Sequence, residues 1–265
     1  MAIKKLRRML LLLGGDEEVI PPSDAWITTG AGGCLYRGTN FTVDTSGESV
    51  VNVSFWLKFG SIPINDDFIF EFWYSTSTTL WAIHWDHAQQ RFEANYAKNG
   101  GGNVAAYFPK ASLPSEIVDP GTGRPKADLW VHYNWSLSGA GSSHLHINNV
   151  SQGILTADGY PLQSNFTNAK GRFGDARNIA VGPMVNGSGL AQVRVSVDWT
   201  PRANFLNANP TRWNRPINWA TESGDLVLAW PFSSDGLDLS PANADFTLTT
   251  GAFTVGGGPP LLDPV

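Results

Sequence analysis

The chain has 265 residues, a formal net charge of −5, 15% charged residues and 42% hydrophobic residues. That balance supplies a sizeable core and no general attraction for nucleic acid or anionic membranes. Abundant Gly, Trp, Phe, Ser, Thr and Asn exclude helix bundles and disorder, and favour short strands joined by polar turns.

The first segment, MAIKKLRRMLLLLGGDEEVIPPSD, opens basic and turns leucine-rich. Its apolar run Met9–Leu13 is too short for the core of a secretory signal or for a membrane span, and Asp16, Glu17 and Glu18 follow at once. Ile3, Leu6, Leu10 and Leu13 are spaced by three, four and three, the a/d pattern of a short coiled-coil seam. A helix this short is marginal alone in water. The spacing therefore predicts an arm over residues 1–22 that sister chains or a larger particle keep ordered, with Lys4, Lys5, Arg7 and Arg8 meeting an acidic surface. Gly14-Gly15 and Pro21-Pro22 end the arm and stiffen its link to a single domain over residues 23–265. Cys34, the one cysteine, excludes an internal disulfide framework and is a small semi-buried residue by its Gly-rich context.

From Trp26 onward, period-2 alternation recurs. VNVSFWLKF (51–59) sets Val51, Val53, Phe55, Leu57 and Phe59 on one face. FIFEFWY (68–74) sets Phe68, Phe70, Phe72 and Tyr74 against Ile69, Glu71 and Trp73. LWAIHWDH (80–87) sets Trp81, Ile83 and Trp85 against Ala82, His84 and Asp86, and RFEANYA (91–97) aligns Phe92, Ala94 and Tyr96. Further strands are expected at NIAVG (178–182), AQVRVSVDW (191–199) and DLVLAWPF (225–232). Gly, Asn, Asp, Ser and Pro turns separate them, while 109–126 and 200–224 are expected to be long loops. Many short antiparallel strands imply an all-β sandwich or jelly roll.

LWVHYNWSLSGAGSSHLHINNV (129–150) concentrates three histidines. Leu129, Val131, Tyr133, Trp135 and Leu137 share one face of its first strand, and Leu145 and Ile147 share one face of its second. A register pairing even with even positions puts both apolar faces into one core. It opposes Ser136 to His144 and Asn134 to His146, and leaves His132 diagonal to His146. The three imidazoles therefore share a face without converging on one ion, and no metal site is assigned. An aromatic-and-amide surface for sugars is the alternative, from Trp73, Trp130, His132, Asn134, His144 and His146 with Glu71, His84 and Asn95.

The Trp130-Val131-His132 strand with HLHINNV, the strand VNVSFWLKF, the run IAVG with LAQVRVSVDWTPRANF, and the segment DLVLAWPFSSDGLDLSPANADFTLT resemble the strand motifs of laminin-G-like, concanavalin A-like sandwiches. The resemblance covers about residues 26–255. It implies an antiparallel jelly-roll β-sandwich, a fold that hosts lectins, hydrolases, adhesion modules and virion proteins. Glucanases of this fold carry acids at alternate strand positions. The nearest candidate here, DDFIFEF, aligns Asp67 and Glu71 but has Ile69 between them. His84 and Asp86 share a face without a nucleophile motif, and no G-x-S-x-G, P-loop or Cys/His zinc pattern occurs. The legume-lectin calcium and manganese pattern is also absent. N-x-S/T sequons at Asn40, Asn52, Asn134, Asn149, Asn165 and Asn186 carry no weight without an export signal.

The expected protein is not an enzyme and uses no cofactor. It is a structural subunit of a bacteriophage particle surface, as head decoration, fibre or tail-surface subunit. The arm would make it a homotrimer or anchor it to other virion proteins, and the sandwich would face outward toward a possible host surface glycan. The alternative is a carbohydrate-binding module acting without catalysis.

Overall fold

The computed structural model describes residues 25–28, 34–44, 50–75, 78–97, 103–138, 142–156, 165–175, 184–198, 217, 226–232, 239, 247–250, 253–255, 257–259 and 261. The proposed arm (1–22), the expected strand at 178–182 and nearly all of 200–224 lie outside these residues. Strands β1 to β7 run Trp26–Thr28, Cys34–Asp44, Val50–Lys58, Asp67–Ser75, Thr78–Asp86, Arg91–Ala97 and Asn103–Pro109. Strands β8 to β15 run Val131–Ser138, Ser142–Ile147, Val150–Thr156, Asn165–Phe173, Gly189–Asp198, Leu226–Trp230, Thr247–Thr250 and Phe253–Val255. No α-helix occurs among the described residues.

The strands form two antiparallel sheets. The eight-stranded sheet has the order β10-β9-β8-β3-β12-β1-β15, with β13 also paired to β12, and the seven-stranded sheet has the order β14-β2-β11-β4-β5-β6-β7. Alternation explains the layer between them, because each strand points every second side chain inward. Val53, Phe55 and Leu57 of β3 with Phe59 just after it, Val131, Tyr133 and Trp135 of β8, and Leu145 and Ile147 of β9 meet Trp81, Ile83 and Trp85 of β5 and Phe92, Ala94 and Tyr96 of β6 in one buried cluster. Phe55 stacks on Tyr133 at 5.8 Å and meets Phe70 of the facing sheet edge-on at 6.3 Å. These contacts tie the two sheets together at their centre.

Strand β4 departs from strict alternation. A register irregularity falls between Phe68 and Phe70, and it shifts the phase of the strand start by one residue. Asp67 then pairs with inward Trp85, and Phe68 with outward His84, while Glu71 pairs with outward Ala82. The expected common face of Asp67 and Glu71 is therefore corrected: Asp67 points inward and Glu71 outward. Phe68 likewise leaves the Phe70–Phe72 face, and Ile69 is fully buried in the core.

Two turns show why the sequence closes where it does. In HINNV, Asn148 and Asn149 take φ of 47° and 64° between paired Ile147 and Val150. Asparagine tolerates this left-handed region, which a two-residue hairpin turn requires at both positions. At Gly60, an added Cβ would stand 2.5 Å from the Gly187 carbonyl carbon and strike the Asn186 carbonyl oxygen. Only glycine lets the chain after β3 lie against 186–187.

The stretch 109–126, expected to lack structure, is ordered. Single 3-10 turns at Lys110–Ser112 and Ser115–Ile117 bury Leu113 and Ile117 in the core. Asp119 Oδ1 accepts the backbone N–H groups of Gly121 at 3.1 Å and Thr122 at 2.9 Å. Lys110 Nζ and Arg124 Nε each donate to Gln90 Oε1 at 3.1 Å. Those two bonds fasten the loop to the β5–β6 turn.

Candidate functional site

The histidine hairpin has the register its pattern predicted. Asn134 lies opposite His146, and Ser136 opposite His144. Strand β3 adds Asn52, Ser54 and Trp56 to the same face, opposite Ser136, Asn134 and His132. This outer face of the eight-stranded sheet is not open to solvent, however. His132 is 1% exposed and His146 7%, while Asn134 and Ser136 are fully buried. His144 is half-buried, and burial lowers its imidazole pKa.

Part of what covers this face is visible. Ala25 and Leu261 pack with Trp56 and Ala191, against partly buried Ile27 and Trp130. Trp130 Nε1 donates to the Gly257 carbonyl at 2.9 Å, which ties the indole to the C-terminal segment. Beneath the cover, Ser54 Oγ and His132 Nε2 are 2.7 Å apart, and Ser136 Oγ donates to Asn52 Oδ1 at 2.5 Å. The His132 ring meets Trp56 edge-on at 5.4 Å, and its backbone N–H donates to Asn148 Oδ1 at 3.0 Å. These side chains form an internal polar layer rather than an open sugar face.

Trp73, placed with them by the sequence, belongs to the other sheet. It lies on β4 opposite Lys170 and is 7% exposed. Glu71, His84 and Asn95 are also on that sheet. The single surface expected from Trp73, Trp130, His132, Asn134, His144 and His146 is thus divided between opposite sides of the sandwich. Alternation fixes the face of each strand but not the sheet it joins.

The outer face of the seven-stranded sheet brings a different group together. Phe68, His84, Glu93 and Tyr107 are successive register partners across β4, β5, β6 and β7. They make one line of side chains perpendicular to the strands. Phe68 lies flat against the His84 ring at 4.4 Å, with 8° between planes. Tyr107, on the outermost strand, is 42% exposed. Arg91 holds the line from one side: its Nη2 donates to Glu93 Oε2 at 2.5 Å, and its guanidinium lies 4.5 Å from the Tyr107 ring centroid. Asn95 Nδ2 donates to Glu93 Oε1 at 3.0 Å from the other side.

The charges here are closely matched. Arg91 Nε stands 3.9 Å from Asp86 Oδ2 as well as bonding Glu93. Asp86 Oδ1 accepts the Gln89 N–H at 2.8 Å, and Asp66 Oδ1 accepts the His87 N–H at 2.8 Å, which fixes both carboxylates at the turn. Burial lowers the His84 pKa; Glu93, Asp86 and Asp66 act in the opposite sense, and Arg91 lowers it further.

No protein-family model and no curated protein matches the sequence. Among solved structures, the chain is similar to a native heptameric SAP-like pentraxin from Limulus polyphemus. The TM-score is 0.53 at 13% identity, over 92% of this chain and 98% of that one. A Bacteroides ovatus protein provisionally described as carbohydrate-binding gives a TM-score of 0.53 at 14% identity, over 92% of this chain. This chain spans 62% of that protein's length. The fold is the concanavalin A-like jelly-roll sandwich. Domains LG4-5 of the mouse laminin α1 chain give a TM-score of 0.46 at 10% identity, over 68% of this chain and 42% of that one, and add no weight.

Within this concanavalin A-like sandwich, sequence reasoning set His84 and Asp86 on one face and grouped Glu71, His84 and Asn95 with the tryptophans, but missed the line that joins His84 to Phe68, Glu93 and Tyr107. A signal was present. HWDHAQQRFE (84–93) is a hairpin with a short polar turn, so the outward residues of its two strands must be neighbours. Tyr107 carried no such local signal, because residues 98–102 separate its strand from β6.

Proposed function

We propose that the chain is a carbohydrate-binding module without catalytic activity, and that sugar sits on the outer face of the seven-stranded sheet beside Tyr107. The observation that carries this reading is the line Phe68–His84–Glu93–Tyr107, flanked by Arg91 and Asn95. A pyranose needs an aromatic ring against its apolar face and fixed polar groups for its hydroxyls. Tyr107 offers the ring; Glu93, Asn95 and Arg91 offer the polar groups, already oriented by their mutual hydrogen bonds. On the opposite outer face His132, Asn134, Ser136 and His146 are buried, whereas Arg91, Glu93 and Asn95 here are only partly buried and Tyr107 is exposed. The similarity to a protein described as carbohydrate-binding supports the class of ligand. The separation of Asp67 from Glu71 by the β4 irregularity supports the absence of glycosidase chemistry, since such a pair must flank one bond.

The test is retention on immobilised glycans by the full chain and two variants. Tyr107→Ala is expected to weaken retention about tenfold, equivalent to about 1.4 kcal/mol, while Trp130→Ala, on the covered face, leaves it unchanged. The reverse pattern would move the site to the eight-stranded sheet and refute this assignment.

A second reading places the module on a bacteriophage particle, trimeric or anchored through its arm and directed at a host surface glycan. The heptad spacing of Ile3, Leu6, Leu10 and Leu13 favours it. It requires the same sugar face and adds an assembly function to residues 1–22.

A further inference from the structure

The β5–β6 hairpin gathers one imidazole and two carboxylates on the outer face of the seven-stranded sheet. One donor atom from each of His84, Asp86 and Glu93 lies within 4.8 Å of the other two. His84 is the register partner of Glu93, and Asp86 follows two positions along the same strand. The imidazole is the informative member. His84 is only 8% exposed, its ring orientation is set by the stack on Phe68, and its buried Nδ1 has no hydrogen-bond partner. A buried ring nitrogen without a partner is costly. A cation bound by the imidazole and the two carboxylates would give all three groups a shared partner.

We propose that His84, Asp86 and Glu93 bind a first-row divalent transition-metal cation of the Zn²⁺ type. One imidazole nitrogen and two carboxylate oxygens are a donor set suited to such an ion, whereas Ca²⁺ takes an all-oxygen shell of higher number. Donors about 2.0–2.2 Å from one ion stand roughly 3–3.5 Å apart, so side-chain rotations of about an ångström close the present spacing.

Arg91 is the built-in competitor. It is the counter-cation of Glu93 at 2.5 Å and lies near Asp86 at 3.9 Å. In the same position its guanidinium lies over the Tyr107 ring, where a cation is favoured on its own account. A bound metal ion displaces the guanidinium from the carboxylates and leaves it on the tyrosine. Removing Arg91 must then tighten metal binding, which a purely structural ion-pair cluster would not predict for an imidazole-selective ion.

The site needs no glycan, so the probe is the metal alone and the result is independent of the sugar reading. The full chain, stripped with chelator, is titrated with Zn²⁺ by calorimetry, with Ca²⁺ and Mg²⁺ as comparisons. The expected result is a single saturable Zn²⁺ site that both His84→Ala and Asp86→Asn weaken by about tenfold or more, and that Arg91→Gln tightens. Asp86→Asn guards against loss of folding in His84→Ala, because Asp86 is partly exposed at the strand end. No Zn²⁺ binding, binding indifferent to both substitutions, or preference for Ca²⁺ would each overturn the proposal.

Discussion

Replacing Asp67 with Asn should change how the stability of the protein depends on pH. Asp67 is fully buried, its Oδ1 accepts the Val185 N–H at 3.2 Å, and its Oδ2 has no hydrogen-bond partner. Burial pushes its pKa from 3.8 up to about 7; the Val185 bond opposes this and Asp66 adds to it. A carboxyl whose pKa is higher folded than unfolded favours folding most below its unfolded value. That contribution is lost as pH rises from about 4 through about 7. At about 1.4 kcal/mol per pKa unit, the shift corresponds to roughly 4 kcal/mol. Asparagine keeps the acceptor for Val185 but puts an amide nitrogen where Oδ2 lacked a partner, a constant cost of about 1–3 kcal/mol. Urea unfolding of both proteins at several pH values isolates the titration in their difference. The variant should be the less stable near pH 4 and gain steadily on the native chain, by roughly 4 kcal/mol in total, until about pH 8. Parallel stability curves would refute the reasoning and show that Asp67 ionises freely in the folded chain.

Ser54→Ala removes the partner 2.7 Å from the buried His132 Nε2 and should cost about 1–3 kcal/mol, seen as a lower urea midpoint at unchanged slope; an unchanged midpoint would mean that this bond adds nothing to the polar layer. Light scattering on the full chain and on one starting at Ser23 tests the arm: an oligomer that becomes a monomer on truncation supports assembly through residues 1–22, and two monomers would rule out self-association by the heptads.

Period-2 alternation made the strand faces legible, and the even-with-even argument anticipated the pairing of Asn134 with His146 and Ser136 with His144. Both are local matters, settled within a strand or a hairpin. The division of the expected sugar surface was not local. Trp73 and Trp130 both point outward by pattern, yet Trp73 lies on β4 of the seven-stranded sheet while Trp130 directly precedes β8 of the other and packs against Trp56 and Ala191, and no periodicity records which sheet a strand joins. The cover over His132 and Asn134 is likewise tertiary: it uses Ala25 and Leu261 from the two ends of the described chain. One extra residue in β4 was enough to turn Asp67 inward and Phe68 outward, and a one-residue irregularity leaves no mark on an alternation that continues after it. The line ending at Tyr107 fell between these cases, legible across the β5–β6 hairpin and invisible beyond it.

The most direct measurement is a glycan array probed with the full native chain. The account predicts saturable retention on glycans of one related class, removed by the free sugar in solution. A folded chain that no glycan retains would contradict the claim that the seven-stranded sheet presents a sugar-binding face.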